Sequence, residues 1–133
     1  MLEPMTAGSS IGILVDRGVE KRLRRALPHF QLVALPDWVE LAFFDLESSP
    51  GALFVDPMLI PAKHRTETLR HLGRRDRARV ILYAKITPDI APVLLEMGQL
   101  GIRSFLAAGI DDGPEEVRAI LVNALSRCIR QEP

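Results

Sequence analysis

Short apolar runs alternate along this chain with longer stretches in which apolar residues recur every three or four positions. The first run, Ile11-Gly12-Ile13-Leu14-Val15, reads as a buried strand and ends on Asp16-Arg17-Gly18. Val19, Leu23, Ala26 and Leu27 then follow helical spacing, with Arg22, Arg24 and Arg25 mostly on the outer face and Pro28 as the stop. Phe30–Leu35 reads as a second strand. Asp37 and Glu40 have the spacing of a capping box, and Val39, Ala42, Phe43 and Leu46 predict one apolar stripe of a helix that Ser48-Ser49-Pro50-Gly51 breaks. The third run, Gly51-Ala52-Leu53-Phe54-Val55, closes on Asp56. Pro57 cannot continue a ladder, so Asp56 falls at the carboxyl end of a buried strand.

Pro57–Pro61 is too rich in proline for regular structure. Lys63–Gly73 follows with Leu69 and Leu72 as its strong apolar anchors, which predicts a short, weakly held helix. Arg74, Arg75, Arg77 and Arg79 then cluster before the next strand; without interleaved aromatics they read as a solvated helix end. Val80-Ile81-Leu82-Tyr83-Ala84 is a fourth buried strand, followed by Lys85 and a turn in which Thr87 or Asp89 can cap and Pro88 suits a first turn. Ile90, Leu94 and Met97 carry a helix that Gly98 or Gly101 ends, with Pro92 in its first turn or kinking it. Ile102–Ala107 is a fifth, shorter strand. After Ala108-Gly109-Ile110 and the cap-like Asp112-Gly113-Pro114-Glu115, the residues Val117, Ile120, Leu121, Ala124, Leu125 and Cys128 form the wide apolar stripe of a last helix.

Strands alternating with helices imply right-handed βαβ crossovers and a parallel sheet covered on both faces. The fold expected is therefore α/β, a three-layer, flavodoxin-like (βα)5 arrangement with a five-stranded parallel sheet in the order 2-1-3-4-5. That order sets the ends of strands one and three side by side at the switch point, so Asp16 and Asp56 face one crevice. Residues 1–10 read as a loose leader, 11–130 as the folded domain, and 131–133 as a tail or linker.

Composition narrows what such a domain does. The 133 residues suit one core, and with 47% hydrophobic but only 5% aromatic content that core must be filled by aliphatic side chains. Lys plus Arg and Asp plus Glu balance at 17 each, which leaves no global field to draw nucleic acid or a membrane. Cys128 is the one cysteine, a buried thiol by its helical spacing, so a reducing, cytoplasmic setting is expected. No run approaches the length of a membrane span, and residues 1–10 lack the pattern of a signal peptide. His29, His64 and His71 are scattered and read as surface residues; no metal site and no glycine-rich phosphate loop is expected.

With an acid ending strand one, Asp56 in a Phe-Val-Asp context ending strand three, Gly101 before the last strand and Phe105 within it, Ile11–Arg130 resembles the receiver domain of bacterial two-component response regulators. The resemblance implies that Asp56 holds the address of the phosphoacceptor. It also implies an acidic pair for Mg²⁺ after strand one, a Ser or Thr ending strand four and a Lys ending strand five. Here Asp16 takes the first acidic position, but Arg17 stands in the second, Ala84 replaces the hydroxyl residue, and Ala108, followed by Gly109, replaces the lysine and the proline that usually comes after it. Phosphoryl transfer depends on positioning and on neutralising oxygen charge, so these losses point to a degenerate, pseudo-receiver form. Asp56 is then a carboxylate that caps the following loop or pairs with Arg17, while Lys85 is either exposed or reaches the pocket in place of the absent lysine.

The expected role is a regulatory and dimerisation module of a bacterial transcriptional regulator, acting without Mg²⁺-dependent aspartyl phosphorylation. DNA would be contacted only through an output domain beyond this chain. The alternative is a true receiver phosphorylated on Asp56. An enzyme or cofactor binder on the same fold is disfavoured, because no catalytic cluster or cofactor motif is present. A homodimer is expected, through the last two helices and the fifth strand, with Ile102, Ile110 and Val117 as candidates for its apolar content.

Overall fold

A computed structural model of the chain describes residues 10–43, 52–76, 79–110 and 113–131. Its five strands are β1 (Ser10–Leu14), β2 (Gln31–Ala34), β3 (Ala52–Val55), β4 (Val80–Ala84) and β5 (Ser104–Ala107). All neighbouring strands pair in parallel, in the order β2-β1-β3-β4-β5. Four α-helices are described: α1 (Arg17–Ala26), α2 (Ala62–Asp76), α3 (Ile90–Gln99) and α4 (Pro114–Gln131). The expected flavodoxin-like topology is therefore the observed one.

Alternation along the strands sorts side chains into two cores. Ile13, Phe54, Ile81, Tyr83 and Leu106 face α1 and α4, where they meet Val19, Leu23, Val117, Leu121 and Ala124. Leu14, Leu53, Val55, Val80 and Leu82 face the other way, against Leu41, Leu69, Leu72, Val93 and Met97. Residues of one strand thus stabilise both layers, which is why the central runs are apolar without interruption. Phe54 and Tyr83 add an edge-to-face contact with centroids 6.1 Å apart.

The crossover after β2 departs from the expected α-helix. Trp38–Phe43 is a 3-10 helix, opened by the Asp37 carboxylate accepting the Val39 amide at 3.0 Å. With about three residues per turn the apolar stripe shifts. Leu41 is fully buried and Val39 is 45% exposed, so Val39 does not belong to the buried face the spacing assigned to it. Leu46 and Ser48–Gly51 lie outside the described residues.

Helix α2 is longer than the Lys63–Gly73 segment expected, because tertiary contacts supplement its sparse apolar anchors: Leu69 and Leu72 are buried, and Arg65 and Thr66 bond neighbouring elements. Arg77 and the side chains of Arg74, Arg75, Leu125 and Cys128 lie outside the described part. Helix α3 stops just before Gly101, whose φ of 96° closes the helix end, with the Gly101 amide on the Gly98 carbonyl and the Ile102 amide on that of Met97. Ile102 then packs into the core beside Met97 rather than beginning β5.

Two of the three residues expected on a dimer face are corrected by this packing. Ile102 is 3% exposed, held inward by the helix end at Gly101, and Val117 is fully buried where α4 meets the sheet. Ile110, in the turn after β5, is 74% exposed. No helix among the described residues is long and apolar enough to cross a membrane.

Candidate functional site

The parallel register brings β1 and β3 to a common end, with Leu14 opposite Val55. The Asp56 amide bonds the Leu14 carbonyl at 2.8 Å, which carries the ladder one residue further and fixes where its side chain emerges. Asp16 caps α1, its Oδ2 accepting the Gly18 amide at 3.2 Å. Asp56 caps a one-turn 3-10 helix, Pro57–Leu59, its Oδ1 accepting the Met58 amide at 2.9 Å. Pro57 suits the first position of that turn, since its missing N–H costs nothing there.

A cavity of about 240 Å³ opens between these strand ends. Asp16, Asp56, Ala84 and Lys85 line it, together with Thr87, Val19, Met58 and Leu59. Four of the six residues picked out from the sequence therefore converge. Arg17 and Ala108 are not among the lining residues: Arg17 is exposed at the start of α1, and Ala108 is buried with its amide on the Ala84 carbonyl at 2.9 Å.

The electrostatics of Asp56 identify its cations. Burial pushes its carboxyl above the usual range; the Met58 amide counters this, Asp16 raises it further, and the charges of Arg65 and Lys85 lower it. Arg65 and Lys85, and not Arg17, are thus the positive groups that favour its ionised form. Arg65 is held in place by its Nε on the Pro57 carbonyl at 2.9 Å and its Nη2 on the Ile60 carbonyl at 3.1 Å. Sequence reading missed Arg65 because nothing in Lys63–Gly73 marks one basic residue from the others. Thr87 was legible only as a cap; it lines the crevice while its carbonyl accepts the Ile90 amide at 3.1 Å.

A divalent cation of the receiver type fits this donor set poorly. Each of the two carboxylates already accepts a backbone amide, and the charges of Arg65 and Lys85 already favour the ionised form of Asp56. Among the described residues, no three His, Cys, Asp or Glu side chains converge as metal ligands. Of the histidines, His64 stacks on Trp38 at 5.0 Å and 18°, while His29 and His71 are exposed.

No protein-family model matches the sequence, and no curated protein matches it. Solved structures do. The amino-terminal signal receiver domain of a two-component response regulator from Bacteroides fragilis superposes with a TM-score of 0.64 at 20% identity, covering 88% of this chain and 97% of that one. A response regulator receiver domain from Rhodospirillum rubrum gives 0.54 at 16% identity, covering 93% and 96%. A structure described as adenylate cyclase from Rhodopirellula baltica gives 0.65 at 16% identity, covering 93% and 94%. At such identities the likeness speaks for the fold and leaves the chemistry to the residues. The chain has the fold of the response-regulator receiver domain.

Proposed function

We propose that the chain is a degenerate receiver, a regulatory and dimerisation module of a bacterial transcriptional regulator that signals without Mg²⁺-dependent phosphorylation of Asp56. The observation that carries this reading is the make-up of the crevice: the charges of Arg65 and Lys85 favour the Asp56 carboxylate, and the ends of β4 and β5 present Ala84 and Ala108. A phosphoryl group placed on Asp56 would meet no hydroxyl at position 84 and no lysine at 108, the groups that a working receiver uses to read it. On this reading the chain catalyses nothing, and DNA is contacted through an output domain outside it.

Self-association is assigned to the face beside the β5 edge. Ile110 in the turn after β5, Leu95 on α3 and Val122 on α4 are exposed apolar side chains, at 74%, 67% and 59%, that could contribute to such contacts.

A second reading, phosphorylation on Asp56, is favoured by one observation: Lys85 and Thr87 line the crevice from just beyond β4 and are an ammonium and a hydroxyl of the needed kinds. Titration of Mg²⁺ into isotopically labelled protein separates the two. On the first reading the amide signals of Asp16, Arg17, Asp56 and Ala84 do not move saturably at millimolar Mg²⁺; a saturable shift at all four supports the second.

A further inference from the structure

Helix α1 carries a dense basic charge on a chain that is neutral overall. Arg17, Lys21, Arg22, Arg24 and Arg25 are five of the 17 basic residues, and Glu20 is the helix's one acid. Val19, Leu23 and Ala26 form its buried face. At about 100° per residue, Arg17, Lys21, Arg24 and Arg25 fall in a sector about 100° wide, centred opposite that face, and all four are exposed. Arg22 lies off the sector: its guanidinium rests over Gly109, where a Cβ would come 3.3 Å from Nη1. The four cations thus form a stripe about 12 Å long, the rise of about three to four base pairs of duplex.

Helix stability does not account for the stripe. Arg24 and Arg25 suit the last turn, and Arg24 bonds Glu20 at 2.9 Å. Arg17, by contrast, opens the helix, where a cation opposes the macrodipole, and Lys21 stands four residues from both Arg17 and Arg25, a spacing at which like charges repel. None of the exposed large apolar side chains among the described residues lies on α1. A protein interface draws on an apolar centre, whereas a phosphate backbone asks only for spaced cations, and guanidinium groups bond phosphate oxygens in pairs.

We infer that the outer face of α1 binds the phosphate backbone of a nucleic acid through Arg17, Lys21, Arg24 and Arg25. Contacts of this kind carry no base information, so sequence reading is left to the output domain of the proposed function, and the stripe adds affinity beside it. The surface is built from α1 alone and does not depend on the state of Asp56. Arg17, which the crevice does not use, belongs to it.

The test titrates the full chain into a short fluorescein-labelled DNA duplex of arbitrary sequence and reads anisotropy over a range of KCl. Binding is expected at low salt, with log K falling linearly against log salt at a slope of about −3, for about three to four phosphates neutralised. Lys21→Gln/Arg25→Gln is expected to weaken binding at low salt at least about tenfold and to flatten the slope by about 2. Arg70→Gln/Arg103→Gln, which removes the same charge from exposed sites on other elements, should change affinity by less than about threefold. Lys21→Arg/Arg25→Lys keeps the charges and keeps the binding. Should the α1 glutamine pair fail to fold, Lys21→Gln alone carries the comparison, with a slope flatter by about 1. No binding at low salt, or equal weakening by both glutamine pairs, overturns the assignment. So does poly-L-glutamate binding through the same residues at least as tightly as the duplex, which would make the stripe a docking surface for an acidic protein.

Discussion

The Asp56 carboxylate accepts the Met58 amide at 2.9 Å, and that bond turns a strand-end acid into the cap of the turn that follows it. The same carboxylate is half-buried beside Asp16, so its environment is divided: a backbone dipole and two cations favour the charge, while burial and a like charge oppose it. Burial is the largest of these influences, and the carboxyl is held above its usual range.

The sign of that shift fixes how stability depends on pH. A carboxyl that holds its proton more tightly in the folded state contributes stability fully present below the unfolded value of about 3.9 and lost as pH rises through the folded value. At neutral pH the ionised Asp56 is a net cost. Asp56→Asn keeps an oxygen for the Met58 amide and removes the charge, so it should stabilise the fold at pH 7, with the gain fading as pH falls through the folded value and absent below about 3.9. Urea unfolding at several pH values checks this; a loss of stability at pH 7 would contradict it.

The 3-10 crossover makes opposite forecasts for two apolar neighbours. Leu41→Ala empties a fully buried site and should cost about 2–4 kcal/mol, whereas Val39→Ala trims an exposed side chain and should change stability by less than about 0.5 kcal/mol. An α-helical stripe through Val39 would bring the two costs together. Equilibrium unfolding of both variants distinguishes the cases.

These two forecasts also mark what the sequence makes legible. The runs at Ile11–Val15, Ala52–Val55 and Val80–Ala84 are apolar on successive positions because central parallel strands are covered on both faces, and with the intervening helical spacing they suffice for the sheet order. The convergence of Asp16 and Asp56 follows from that order. What stayed hidden depends on tertiary geometry: a 3-10 period in place of 3.6 at Leu41, the inward turn of Ile102 after Gly101, and the choice of Arg65 over Arg17 as the cation beside Asp56. Arg17 is adjacent to the acid in sequence, but its place at the start of α1 directs it to solvent, while Arg65 comes back from α2 onto the carbonyls of the turn.

For self-association, Ile110 and Leu95 are the discriminating positions. Ile110→Glu and Leu95→Glu each place a charge in the proposed interface and should shift the chain from dimer to monomer with the folding midpoint of the monomer little changed. Ile102→Ala and Val117→Ala should instead lower stability by about 2–4 kcal/mol and leave the interface chemistry intact, since both side chains are core. Sedimentation at several concentrations reads the outcome. A native chain that remains monomeric at high concentration contradicts the dimer.

On the proposed reading, the crevice has the receiver's address without its reacting groups. The most direct test of that reading is incubation of the native chain with a small-molecule phosphodonor and Mg²⁺, beside a competent receiver under the same conditions, followed by intact-mass measurement. The account predicts that the competent receiver gains one phosphoryl group and this chain gains none. A stoichiometric adduct on this chain, lost in Asp56→Asn, would contradict it.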